Sequence, residues 1–210
     1  MINIQSFTFS PFQENTYAVY TDTGECMIID PGCYDKAEEK ILSDFIAQKK
    51  LKPVLLVNTH CHIDHVFGNK YVAEKYNLTP IIHPNEEPIL STVSRVAEMY
   101  GLEYTPSPEP EILKKDEILL GEDKFKVLFV PGHSPGHIAL YHSESESVIA
   151  GDVLFRQSIG RTDLPGGDMD TLINSIRTQL FVLPDATKVY AGHMEPTTIG
   201  YEKKHNPFLN

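Results

Sequence analysis

The stretch Pro53-Val54-Leu55-Leu56-Val57-Asn58-Thr59-His60-Cys61-His62-Ile63-Asp64-His65 decides how this chain is read. Its first five residues form a short apolar run, which reads as a buried strand. That strand delivers three imidazoles and a carboxylate within six residues, His60 to His65. In a turn leaving a strand, residues two apart project to the same side, so His60 and His62 face together. Asp64 and His65 fall in the first turn of the next helix and point elsewhere. Such a loop can present two ligand sets to two adjacent ions, and imidazole with carboxylate suits zinc, and also iron or manganese. Taken singly, each residue has an ordinary alternative: Asp64 as a first-turn carboxylate, the histidines as satisfied polar groups.

The rest of the sequence supplies what a two-metal site needs. His133 lies in Pro131-Gly132-His133-Ser134-Pro135-Gly136-His137, Asp152 in Gly151-Asp152, and His193 in Gly192-His193. Each follows an apolar, strand-like run, and each is preceded by glycine, which lets the backbone turn sharply toward a crowded centre.

Working outward, residues 2–9, 16–20 and 26–29 read as three strands, the last ending in Asp30-Pro31-Gly32. Residues 35–50 change to helical period, with Ala37, Ile41, Leu42, Phe45 and Ile46 on one face. A helix over 66–77, a strand over 79–82 and a helical stretch over 86–100 precede the Pro-rich segment from Thr105 to Pro110. Strands near 117–120, 124–130, 137–142 and 147–151 follow, then a helix over 169–181 and a strand over 187–191. Polar motif residues at strand ends imply a layered α/β architecture with one ligand edge. No linker divides the chain, and 210 residues with 41% hydrophobic content are read as one domain, 1–210.

The formal net charge of −11 argues against a nucleic-acid partner, which needs a concentrated basic surface. No apolar run reaches the roughly 18 residues of a membrane span, and the N-terminus carries no basic, then apolar, leader. A cytoplasmic protein is expected. Cys26, Cys33 and Cys61 are an odd number without paired spacing and read as free thiols.

These motifs closely resemble the metallo-β-lactamase superfamily, and within it the type II glyoxalases. The resemblance runs from Asn15-Thr16-Tyr17 and Ile29-Asp30-Pro31-Gly32 through the His cluster to Gly192-His193. It implies a four-layer αβ/βα fold, with two mixed sheets sandwiched between helices. It also implies that His60, His62 and His133 hold one divalent metal ion, that Asp64, His65 and His193 hold a second, and that Asp152 bridges them. Zinc is the first choice, iron or manganese the others. The reaction so implied is hydrolysis of a small-molecule thioester, with Asp64 orienting a metal-bound hydroxide. Asp rather than Cys at 152 makes the chain unlike the antibiotic-hydrolysing members with a bridging-position cysteine. Typical type II glyoxalases carry a further C-terminal helical domain with basic residues for glutathione. This sequence runs 17 residues past His193 and resembles the short, single-domain branch.

Asp30, before Pro-Gly, reads as a turn residue. Cys61 is expected to project away from both metals. Arg161 and Asp163 are read as a pair bracing the loop behind the metals, and His137 as either a support of the metal ligands or a turn residue. His83, His142 and His205 are read as surface or turn residues, and Met99, Tyr100 and Tyr104 as cover for the core. Rival functions are a mononuclear iron persulfide dioxygenase, which shares a segment like Arg161-Thr162-Asp163, an RNA-processing nuclease, which the acidic balance disfavours, and a non-catalytic metal-stabilised module. Oligomeric state is not legible.

Overall fold

A computed structural model describes residues 1–209. They form two compact units, residues 1–114 with 119–123, and residues 115–118 with 124–209.

The first unit is built on a six-stranded mixed sheet in the order β1-β2-β3-β4-β5-β6: β1 (Ile2–Phe9), β2 (Glu14–Thr21), β3 (Glu25–Ile29), β4 (Lys52–Val57), β5 (Pro80–Ile82) and β6 (Glu111–Ile112). β1, β2 and β3 run antiparallel, as tight turns allow, and β3 through β6 run parallel. Parallel pairing needs crossovers. α1 (Lys36–Gln48) links β3 to β4, and α2 (Ile63–Val66) with α3 (Asn69–Tyr76) links β4 to β5. α1 starts where Asp35 accepts hydrogen bonds from the Ala37 and Glu38 amides. Its Leu42 and Ile46 pack with Ile28, Leu56 and Val72, each such burial stabilising by about 1.5–3 kcal/mol. The expected helix over 66–77 is broken at Gly68, where a Cβ would stand 2.3 Å from Cys33 Sγ and 2.9 Å from Pro31 O. α4 (Glu87–Tyr100) packs Val93 and Ala97 against Cys61, Val66 and Ile82. Met99 and Tyr100 do not cover the core: at 77% and 57% exposure they face solvent, because the buried stripe of α4 runs through Val93 and Ala97.

The second unit carries a sheet in the order β14-β13-β10-β9-β8-β7: β7 (Glu117–Leu120), β8 (Asp123–Phe129), β9 (Ile138–His142), β10 (Ser147–Gly151), β13 (Lys188–Ala191) and β14 (Thr197–Thr198). A hairpin of β11 (Leu154–Phe155) and β12 (Ser158–Ile159) follows β10. α5 (Met169–Ser175), continued by a π turn Ile176–Leu180, and α6 (Ile199–His205) complete the unit. Leu172, Ile176, Leu180 and Ile199 bury against Leu128, Val148, Ala150 and Val189. The sequence reading did not separate β6, the β11–β12 hairpin, β14 or α6, none longer than seven residues and so too short for a period to show. Among the described residues no helix is long and apolar enough to cross a membrane.

Candidate metal centre

In the first unit β4 ends at Val57 and α2 begins at Ile63, so His60 and His62 lie in the connecting loop and Asp64 and His65 on α2. The loop is held from below by Asp30, which leaves β3 with a left-handed φ of 48°. Asp30 accepts from the Thr59 amide at 2.7 Å and from the Thr59 hydroxyl at 2.6 Å, and its Oδ2 lies 3.1 Å from His65 Nδ1. A carboxylate that accepts from both Thr59 donors also accepts from His65, so Nδ1 of His65 carries its proton and Nε2 presents a lone pair. The Thr59 hydroxyl uses its one hydrogen to donate to Asp30, so its oxygen, 3.1 Å from His60 Nδ1, accepts from that ring in turn. One carboxylate therefore sets the tautomer of two candidate ligands. His60 and His65 rings lie 4.1 Å apart, His60 and His62 rings 4.8 Å apart, and His65 Nε2 is 3.8 Å from Asp64 Oδ2. Asp30, His60 and His65 lie close enough to group as ligands themselves, but Asp30 faces the Nδ1 edges and is engaged there, which makes it their support.

Two further carboxylates are buried in this unit. Glu14 opens β2; its Oε2 accepts from the Thr16 hydroxyl at 2.9 Å, and Thr16 accepts from the Gly32 amide at 2.8 Å. Burial pushes the Glu14 carboxyl well up, with His65 opposing and Asp30 and Asp64 adding to the rise. Glu86 accepts from the Cys61 amide at 2.8 Å. The Cys61 thiol packs into the apolar cluster with Ile63, Val66 and Ile82, and burial first, then Glu86 and Asp30, hold it well above the usual thiol range.

In the second unit His133, Asp152 and His193 stand beyond the ends of β8, β10 and β13. Gly132 makes the turn before His133 with φ 131°, and a Cβ there would stand 2.3 Å from the Leu172 backbone nitrogen, so no other residue fits. His133 Nδ1 donates to the Arg161 carbonyl at 2.7 Å, which leaves Nε2 as its lone-pair edge. Asp152 Oδ2 lies 3.6 Å from that Nε2 and 3.5 Å from His193 Nε2. The Asp152 amide donates to His137 Nε2 at 3.0 Å. Met194, next to His193, is held at φ 66°, a left-handed conformation that is costly for a residue other than glycine.

These donors fit divalent metal ions. Two ligand atoms about 2.1 Å from one tetrahedral ion stand about 3.4 Å apart. One oxygen of Asp152 keeps close to that spacing from each of two imidazoles, those of His133 and His193. Three of the rings are fixed through Nδ1 or oriented by a carboxylate, the usual support of metal-binding histidine.

The second unit thus brings His133, Asp152, His193 and His137 together, and the first unit His60, His62, Asp64 and His65. Arg161 and Asp163 form the expected pair, at 2.7 and 2.8 Å, exposed, with the Asp163 carboxyl held down at about 2 by Arg161. Arg161 meets His133 through its carbonyl. His83 caps the turn before α4 by accepting from the Asn85 amide, His142 bonds Ser145, and the His205 ring lies tilted against that of Tyr201. The sequence reading took Asp30 for a turn residue, and did not single out Glu14 or Glu86. Glu14 had one signal, an acid at the edge of an apolar run; Glu86, beside Glu87 at a helix start, looks like a solvated first-turn acid.

The sequence model of the Metallo-beta-lactamase superfamily matches residues 9–193. The chain is 38% identical to the probable metallo-hydrolase YqgX of Bacillus subtilis, covering 95% of this chain and 94% of that one. It is 37% identical to the hydroxyacylglutathione hydrolase GloC of Haemophilus influenzae, covering 100% and 99%. Among solved structures it is similar to BLEG-1, named a B3 metallo-beta-lactamase (34% identity, 100% of both chains, TM-score 0.90). It is also similar to TTHA1623 in a di-iron-bound form (39%, 98% and 100%, TM-score 0.88) and to ETHE1 from Myxococcus xanthus (26%, 98% and 83%, TM-score 0.78). With two mixed sheets, helices and motif residues at strand ends, the chain belongs to the metallo-β-lactamase superfamily of metallo-hydrolases.

Proposed function

We propose that the two ligand groups are halves of one two-metal centre that hydrolyses thioesters of the hydroxyacyl-thiol class. His60, His62 and His133 would hold one ion and Asp64, His65 and His193 the other, with Asp152 between them. The observation that carries this is the single Asp152 oxygen at 3.5–3.6 Å from both His193 and His133 Nε2. The 37% identity to a hydroxyacylglutathione hydrolase over the full length of both chains supports the substrate class.

When bound, two divalent cations bring the pKa of a shared water near neutrality and polarise a carbonyl. The chain supplies the rest. Asp64 accepts a hydrogen bond from the attacking oxygen and aims it. Asp30 holds His65, and through Thr59 His60, with Nε2 forward. His137 and the Arg161 carbonyl fix Asp152 and His133. A thiolate is a stable leaving anion, so the absence of a dedicated acid in the described ligand sets costs little.

The test is a panel of S-lactoylglutathione, other 2-hydroxyacyl thioesters, β-lactams and glutathione persulfide, run on zinc-, iron- and manganese-loaded protein with metal analysis. Two metals per chain and thiol release are expected. Oxygen uptake with the persulfide and one iron would make the chain a dioxygenase, faster β-lactam opening a lactamase, and bound metal without turnover a binding module.

A further inference from the structure

We propose that Glu86 is a positioning residue for the metal loop: its carboxylate clamps the Cys61 amide and so fixes the backbone from which His60 and His62 project. This rests on the reading of those two histidines as ligands. Glu86 ends the 3-10 turn Pro84–Glu86 and stands at the N-cap position of α4, yet its side chain makes no capping bond to that helix. It reaches instead 25 residues back to the Cys61 amide, at 2.8 Å, and is fully buried there. Burying a carboxylate is costly unless N–H donors and a favourable field compensate it. The amide is one such donor and the α4 N-terminus supplies the field. A cap alone would need neither the burial nor the distant partner.

What the clamp does follows from where Cys61 sits. Its amide lies between the two imidazoles in the chain, and its side chain is locked among Ile63, Val66, Phe67, Ile82, Val93 and Ala97. Amide and side chain are therefore both tied down, which leaves the intervening backbone little freedom. The flanking rings are held with centroids 4.8 Å apart and planes at 87°. A loop ordered before the ion arrives does not lose that freedom on binding, so the clamp raises affinity without touching the metal. Supports of this kind change metal affinity by about 10–100-fold.

The test compares Glu86→Ala, Glu86→Gln and Glu86→Asp. Zinc affinity is read by competition with a chromophoric chelator, ligand geometry by the cobalt(II) absorption spectrum, and the clamp by the Cys61 amide in nuclear magnetic resonance of the metal-free protein. Glu86→Ala should lose about 10–100-fold in affinity for one ion, alter the cobalt spectrum and speed exchange of the Cys61 amide. Glu86→Gln, which keeps an acceptor oxygen, should restore all three. If Glu86→Ala does not fold, Glu86→Asp, one methylene short, should weaken binding where Glu86→Gln does not. Unchanged affinity and spectrum in Glu86→Ala or Glu86→Asp, or Glu86→Gln as defective as they are, overturns the proposal. Failure of the wild type to bind metal would instead sink the reading of the centre, while the Cys61 amide still decides whether the clamp exists.

Discussion

Asp30 Oδ2 stands 3.1 Å behind His65 Nδ1, on the edge of the ring opposite the nitrogen that faces Asp64. The same carboxylate takes both Thr59 donors. Asp30→Ala removes three acceptor contacts at once and leaves the Thr59 amide buried, which should cost about 1–3 kcal/mol in stability. Affinity for the ion that His65 is proposed to hold should fall about 10–100-fold. Asp30→Asn tolerates the positive φ and should fall between. Zinc titration with thermal melts of the metal-free proteins checks this; equal affinity in Asp30→Ala would return Asp30 to a turn residue.

Glu14 gives a pH dependence with a defined sign. Its folded carboxyl is pushed well up by burial, so it binds a proton that the unfolded chain releases above its ordinary value near 4.5. Its contribution to stability is present below that value and is lost as pH rises through the folded pKa. Glu14→Gln keeps the acceptor for Thr16 and does not ionise. In the metal-free state, wild type minus Glu14→Gln stability should therefore decline as pH rises from acid toward neutral. Denaturant melts across that range decide it, and a difference that grows with pH would contradict the direction.

The seven proposed ligands were legible because their chemistry is written in residue type and spacing: His60, His62, Asp64 and His65 are local, and His133, Asp152 and His193 each sit just after an apolar run. The main sheets were legible for the same reason, a period long enough to read. Asp30, Glu14 and Glu86 were not, because what distinguishes them is the partner they meet. Asp30 meets Thr59 and His65 29 and 35 residues away, and Glu86 meets Cys61 25 residues away. In sequence, all three are acids at element ends, where solvated acids are common. The break at Gly68 was hidden likewise, since only the fold brings Cys33 and Pro31 against it.

The thiols should be silent toward metal and reagents. Cys61 faces the apolar cluster, and burial pushes the Cys26 thiol up to about 12 and holds the Cys33 and Cys61 thiols well above the usual thiol range. Cys61→Ser should retain wild-type metal content and turnover while losing about 1–3 kcal/mol for a hydroxyl placed among apolar groups. Native protein at pH 7–8 should resist alkylation until denatured. Metal loss in Cys61→Ser matching that of His60→Ala would place the thiol in a coordination shell.

Asp152 offers the most direct test of the two-metal centre, because its position depends on groups that can be changed one at a time. Its Oδ2 lies between His133 and His193, while its amide is held by His137, fully buried, at 3.0 Å. In the proposed centre, removing the carboxylate would leave two cations with no anion between them, so Asp152→Ala should lose at least one metal and most activity. His137→Ala keeps the carboxylate but releases the turn that carries it. It should retain the ability to bind two ions, with affinity lower by about 10–100-fold, a smaller loss of turnover, and activity recovered by added metal. Elemental analysis at fixed free zinc, beside turnover against zinc concentration, separates the two variants. Two retained metals with normal rates in Asp152→Ala would defeat its assignment as the bridge, and wild-type affinity in His137→Ala would reduce that histidine to a turn residue.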